Sequence, residues 1–269
     1  MSELDPAAAF RELHSHGMLL LANVWDAGSA RLVESLGAKA IATTSAGVAW
    51  SLGYRDGDAL PIEKLIDAVA SMSRVLHVPL TVDSESGYSD NPAIVADNIA
   101  RLIDAGAVGI NLEDGSDDPA LLCAKLEQIK RSSARMGVNL FINARTDVFL
   151  AGLAPEPRRV EETLARAQRY RDAGADGLFV PGLTDRNEIR AIAEGTALPL
   201  NIMARPTLPP AAELEGLGVR RLSAGSAIAE SIFARAATLA GGFLGNGASA
   251  PLSEQAMRYP DINALFAAR

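Results

Sequence analysis

Short apolar runs alternate with longer amphipathic ones along most of this chain. The short runs are "MLLLANV" (18–24), "KAIATTS" (39–45), "VPLTVDSE" (78–85), "VGINLED" (108–114), "VNLFINAR" (138–145), "DGLFVPG" (176–182), "LPLNIM" (198–203) and "VRRLSAG" (219–225). Each has strand length and is bounded by turn residues. Around them the apolar spacing is helical, near 26–36, 62–75, 91–105, 117–136, 157–173, 185–195, 209–217 and 226–240. Strand then helix, eight times over, predicts an α/β fold of the (β/α)8 TIM barrel class. Four strands are entered in the same way: a helix end, a glycine suited to a left-handed cap (Gly37, Gly106, Gly174 or Gly218), then the strand. That repeat argues for parallel strands in general, and the count of eight favours a barrel over a doubly wound sheet. Nothing divides the chain, so 1–269 reads as one domain with a C-terminal helical extension from about 241. The extension is a loose "GGFLGNGASAPLSEQ" (241–255) and a short helix near 260–268.

In such barrels chemistry gathers at the mouth where the strands end. A strand points alternate residues to opposite faces. Leu80 and Val82 then face the helices while Thr81, Asp83 and Glu85 face inward. Ile110 and Leu112 likewise oppose Asn111 and Glu113, and Ile142 opposes Asn143 and Arg145. Thr43, Ser45 and Gly47 follow strand two, and Asn201 sits on strand seven. Polar residues inward on three adjacent strands are not what a purely structural barrel needs. Asp83, Glu85 and Glu113 converging at ~4 Å would repel by about 4 kcal/mol per pair at an effective dielectric of ~20. Protonation or an arginine relieves this. So does a hard divalent cation, and Mg2+ (or Mn2+) held by carboxylates, water and an anionic substrate is the simplest answer. Arg145 would grip a substrate carboxylate with its planar fork. Ser45 and the backbone N–H groups of Ala46 and Gly47 would donate to the same substrate. An ion-pair network that only caps the barrel is the alternative.

Composition narrows the partners. The chain is 48% hydrophobic and 22% charged, ordinary for a globular protein. A net charge of −8 and a pI near 5.0 argue against nucleic acid and anionic membrane surfaces. Cys123 is the only cysteine, which excludes an intrachain disulfide and fits a reducing, cytoplasmic setting. Its helical spacing with Leu122, Leu126 and Ile129 makes it a packing residue. The N-terminus "MSELDPAAAFRELHSHG" carries no apolar signal core. The most apolar stretch, "SAIAESIFARAATLAGGFLG", is broken by Glu230 and Arg235, so no membrane span is expected. His14, His16 and His77 fall away from the mouth and read as surface residues, without a zinc cluster. No serine-hydrolase elbow or nucleotide fingerprint is present.

Four motifs, "TTSAGVAWSLGYRDG", "VDSESGYSD", "INLEDG" and "INARTDVF", resemble in order and spacing those of the isocitrate lyase/phosphoenolpyruvate mutase superfamily, over about residues 18 to 240. The resemblance implies a barrel whose eighth helix is exchanged between subunits, hence a homodimer or homotetramer. It also implies Mg2+ at the mouth and chemistry through the enolate of a pyruvate-like acid. On that resemblance Asp83 and Glu113 look like metal-site carboxylates, and Glu85 stands where a second aspartate is usual. Asp56 resembles the acidic residue after the second-strand loop. Ser45, Ala46 and Gly47 look like the oxyanion and carboxylate cradle, Arg145 like the substrate arginine, and Asn201 like a substrate-facing residue of strand seven.

One departure is plain. The Lys-Lys-Cys-Gly-His or Lys-Arg-Cys-Gly-His loop of the true lyases is missing after strand four, where "EDGSDDPALLCAKLEQIK" runs on, and so is the long gating loop of the mutases. The expectation is a Mg2+-dependent lyase acting on a small α-oxo or 2-hydroxy carboxylate, with Asp56, Arg145 and Ser45 as its catalytic residues. Oxaloacetate decarboxylation is the simplest chemistry compatible with the missing cysteine, because departing CO2 takes no proton. Two alternatives stay open. One is a P–C hydrolase or mutase acting on phosphonopyruvate, with Asp56 positioning water; the other is a non-catalytic α-oxo acid binding protein.

Overall fold

The structure is a computed structural model that describes residues 5–267. Its strands are β1 (Leu19–Leu21), β2 (Asn23–Val24), β3 (Ile41–Thr43), β4 (Leu80–Asp83), β5 (Gly109–Glu113), β6 (Phe141–Arg145), β7 (Gly177–Phe179), β8 (Leu200–Met203) and β9 (Val219–Ser223). They form one parallel sheet in the order β1-β9-β8-β7-β6-β5-β4-β3-β2. The two ends of that order are consecutive in the chain. Only Ala22 separates β1, which pairs with β9, from β2, which pairs with β3. The first expected strand is therefore one segment serving both neighbours, and through it the sheet closes into a TIM-type barrel. Asn23 stitches the seam: its Nδ2 donates to the Thr43 carbonyl at 2.7 Å and its Oδ1 accepts from the Gly225 N–H at 2.9 Å.

The helices are α1 (Pro6–Glu12), α2 (Ala27–Ser35), α3 (Ser45–Ser51), α4 (Ile62–Ser73), α5 (Pro92–Asp104), α6 (Pro119–Arg135), α7 (Arg159–Asp172), α8 (Arg186–Gly195), α9 (Ala211–Gly216), α10 (Ala227–Asn246), α11 (Ala250–Ser253) and α12 (Tyr259–Leu265). The expected helical stretches correspond to α2, α4 to α10 and α12. Helices α1, α3 and α11 are too short to show a period. Asn91, Asp118 and Asp185 cap α5, α6 and α8 by accepting from backbone N–H groups of the first turn.

Two apolar layers hold the barrel. Leu80, Val82, Ile110, Leu112, Ile142 and Leu200 point outward and pack under the helices with Ile99, Leu126 and Ile189. Inside, at the N-terminal end, Phe10 from α1 packs with Leu19, Leu21, Ala42 and Phe141. His14 follows Phe10 into this plug and stacks on Phe141 with ring centroids 4.1 Å apart. The surface position expected for His14 is thus corrected: α1 carries it beneath the barrel, and burial pushes its imidazole down to about 3. His16 and His77 are exposed.

Helix α10 also departs from expectation. It does not stop near 240 but runs to Asn246, where Gly247 in the left-handed conformation (φ 69°) ends it. Despite Glu230 and Arg235 it is long and apolar enough, by length and composition, to cross a membrane, and only Ala229 is buried. Ile232, Phe233, Phe243 and Leu244 are exposed along it. Elsewhere on the barrel an apolar groove of about 1190 Å³ opens between α1, β1 and α2, lined by Leu13, Met18, Leu20, Val33 and Leu36.

Candidate active site

The C-terminal strand ends enclose a cavity of about 180 Å³. Ser45, Asp56, Asp83, Asn111 and Arg145 line its polar side, and Leu150, Phe179, Pro181 and Met203 its apolar side. Asp83 is the last residue of β4. Its N–H donates to Thr43 Oγ1 at 2.8 Å and its Oδ2 accepts from the Ser45 N–H at 3.5 Å, while Oδ1 is buried without a partner. Burial pushes this carboxyl above the usual carboxylate range; Arg145 opposes the shift and Asp56 adds to it.

Arg145, at the end of β6, is held on two sides. Nε and Nη2 donate to the two Asp147 oxygens at 2.7 and 2.9 Å, and Nη1 meets Glu113 Oε2 at 2.5 Å. Asp147 is itself fixed, because its N–H donates to Asp114 Oδ1 at 2.9 Å. The other Asp114 oxygen accepts from Arg166 Nη1 at 2.8 Å and from the Tyr170 hydroxyl at 2.5 Å. Burial works against the charge of Arg145, but Glu113 and Asp147 outweigh it and push its pKa further up. Glu113 shifts as well, toward its neutral form. Burial pushes it up to about 8 against the pull of Arg145, helped by Asp83, Asp147 and Glu85.

The expected convergence of Asp83, Glu85 and Glu113 is looser than alternation implies: the three carboxyls act on one another, but only Asp83 lines the cavity. Strand β4 ends at Asp83, Ser84 turns, and Glu85 lies in the left-handed region at φ 49°, so alternation no longer places its side chain. Buried, Glu85 accepts from the Asp58 N–H and from the Tyr88 hydroxyl at 2.7 Å. Glu113 turns to Arg145. Among the described residues no group of three acidic, histidine or cysteine side chains is gathered as metal ligands. Asp83 and Asp56 face one cavity; Glu85 and Glu113 are not part of its lining.

The cradle divides as well. Ser45 and Ala46 line the cavity, but Gly47 does not: a Cβ there would meet Thr44 Cγ2 at 2.8 Å and Trp25 Cβ at 2.9 Å, so the glycine serves close packing. Asn201 is fully buried and outside the lining, its Nδ2 donating to the Ile202 carbonyl at 2.7 Å. Cys123 is half-buried against the outer core, and only a turn joins β5 to α6, as the missing cysteine loop requires. Strand alternation, which already turned Asn111 inward, also identifies Phe179, Met203 and Arg221 as inward residues. Asp147 precedes and Leu150 lies within a single turn of π-helix after β6 (Val148–Gly152), too short for a period to point to them.

A sequence model of the phosphoenolpyruvate phosphomutase family matches residues 10–244. The chain belongs to this family. An uncharacterised protein of Mycobacterium tuberculosis (strain ATCC 25618 / H37Rv) is 39% identical over 223 residues, covering 81% of this chain and 82% of that one. An oxaloacetate decarboxylase of Pseudomonas entomophila (strain L48) is 31% identical over 227 residues, covering 81% and 78%. A crystal structure from Burkholderia cenocepacia J2315, provisionally named a phosphonomutase, is 42% identical with a TM-score of 0.83, covering 87% and 98%. This member of the phosphoenolpyruvate phosphomutase family is therefore an enzyme of the PEP mutase/isocitrate lyase type, a lyase or mutase, as the four motifs implied.

Proposed function

We propose that this enzyme is a Mg2+-dependent lyase that splits a small α-oxo carboxylate through enolpyruvate, with oxaloacetate as the first candidate. The observation that carries this reading is the buried, unpartnered Oδ1 of Asp83 in a cavity it shares with the doubly held Arg145. The residues fit a hard cation: Asp83, Glu113 and Asp147 act on one arginine, and Asp56 and Glu85 act in turn on Asp83 and Glu113, all with oxygen donors. Asp83 would hold Mg2+ (or Mn2+), with Glu85, Glu113 and Asp56 supplying the surrounding negative charge. When bound, the ion would polarise the α-oxo group and favour the electron pair left by bond cleavage.

The chain's own residues supply the rest. Arg145, unable to swing because Asp147 and Glu113 hold its fork, binds the substrate carboxylate that stays. The Ser45 N–H keeps Asp83 in place, and Ala46 closes the same wall. In oxaloacetate the C3–C4 bond breaks, CO2 leaves without a proton, the electron pair moves to the C2 oxygen, and water protonates C3 to give pyruvate. The apolar side, Leu150, Phe179, Pro181 and Met203, suits neutral CO2 better than the carboxylate it replaces. The decarboxylase among the relatives supports this choice. The resemblance to the Burkholderia protein favours a second reading, P–C cleavage of phosphonopyruvate with the exposed rim residue Asp56 positioning water.

The test is pyruvate release from oxaloacetate and phosphonopyruvate, with and without Mg2+. Mg2+-dependent pyruvate above the metal-only background identifies the bond. Thermal stabilisation by these acids without turnover would leave only binding, the third reading. The same proposal extends to assembly. An α10 that exposes Phe243 and Leu244, and an apolar groove on the barrel wall, are what exchange of α10 within a cytoplasmic homodimer or homotetramer would need.

A further inference from the structure

We infer that Asn111 binds substrate: it offers its side-chain N–H to an acceptor oxygen in the cavity, and Asn143 and the buried Arg221 hold it in that orientation. The inference rests on the reading of the cavity as an α-oxo acid site and adds to it a recognition residue that the acidic motifs do not contain.

The orientation follows from the backbone outward. Asn201 lies within hydrogen-bond range of the Ile202 carbonyl at 2.7 Å and the Arg221 carbonyl at 3.2 Å. Carbonyl oxygens only accept, so that end of Asn201 is its NH2 and the other end its oxygen. The oxygen lies 3.0 Å from Asn143, which must therefore present its own NH2. The same NH2 lies 2.9 Å from Asn111, so Asn111 answers with oxygen. Arg221 Nη2, which can only donate, reaches that oxygen as well, at 3.1 Å. Two donors on one end leave the Asn111 amide one arrangement, carbonyl to the barrel interior and NH2 to the cavity it lines. Turning it over would set NH2 against NH2 and guanidinium.

Arg221 has no ion pair among the described residues that would account for its burial, and Asp83 acts on it only at a distance. It is 1% exposed and, among the described residues, pairs with no carboxylate and leaves Nε and Nη1 without partners. Burying such a group costs stability. What it does here is pin Asn111 and place a positive charge beneath the floor of an anion site. In register, Asn111 lies beside Asp83 on β4 and Asn143 on β6, so its strand runs between the one that carries Asp83 and the one that carries Arg145.

The test is calorimetric binding of oxalate, a small dianion, in Mg2+-containing buffer, alongside melting temperatures. Asn111→Ala is expected to weaken oxalate about tenfold, the worth of one hydrogen bond to a charged ligand. Asn111→Asp, which keeps both interior contacts but turns an acceptor oxygen toward the dianion, should weaken it further. Arg221→Met should match Asn111→Ala in affinity while its melting temperature stays or rises, since an unpaired charge has left the core. A merely structural arginine would lower the melting temperature and leave affinity alone. If Arg221→Met does not fold, the two Asn111 variants decide. Wild-type affinity in both of them overturns the inference and leaves the cavity reading intact. A wild-type protein that binds neither oxalate nor pyruvate sinks the cavity reading, and this inference with it.

Discussion

Arg145 is gripped by Asp147 through Nε and Nη2 and by Glu113 through Nη1, with Asp83 also drawing on its charge. One guanidinium cannot offset three carboxylates, and burial raises both Asp83 and Glu113, the latter from an ordinary 4.5 to about 8. The folded protein then keeps a proton that the unfolded chain releases above 4.5, so stability falls as pH rises from there to about 8. Denaturant titrations of the metal-free protein should show this slope, and Glu113→Gln should reduce it. Binding of Mg2+ near neutral pH should expel the same proton and acidify a weakly buffered solution; binding without proton release would remove Glu113 from the metal's surroundings. At Arg145 itself a lysine keeps the charge but loses the fork that Asp147 and Glu113 orient. Arg145→Lys is expected to lower kcat/KM by about 10²–10³-fold. Near wild-type turnover would mean that the substrate carboxylate is held elsewhere.

Among the elements, α3 is the one that brings backbone to the site, and Gly47 sets how closely it can approach. An added methyl would press on Thr44, Trp25 and Ala229. Gly47→Ala should therefore cost about 1–3 kcal/mol in denaturant unfolding, the usual range for overpacking. A neutral substitution would show that α3 has slack. Strands and helices were legible to different depths. Alternation along β4, β5 and β6 separates outward Leu80, Ile110 and Ile142 from inward Thr81, Asn111 and Asn143, and the packing follows it. It misleads at Glu85 because the strand has ended and a positive φ redirects the side chain. The reading of α10 as ending near 240 stops at Gly241 and Gly242, which weaken a helix locally without ending it; the left-handed Gly247 is what ends it.

At the scale of the whole molecule, an apolar α10 standing off the barrel and a groove edged by exposed Leu20 and Leu36 are complementary liabilities for a lone subunit. Light scattering should find a dimer or larger, and Leu20→Lys, which puts a charge into the groove, should shift it toward monomer. A wild-type monomer at micromolar concentration would end the exchange proposal.

The sequence by itself determined the barrel and the polar strand ends. Both follow from local periods, two residues in a strand and 3.6 in a helix, that can be counted along a segment. Only the tertiary structure decided which polar groups meet. It set Asp83 in the cavity beside Asp56, took Glu85 to Tyr88 and Glu113 to Arg145, and drew Asn111, Asn143, Asn201 and Arg221 into one hydrogen-bonded chain across the barrel. Apart from Glu85 and Tyr88, which share one loop, those partners come from separate strands and loops, and closing a barrel sets their distances in a way that no local period records.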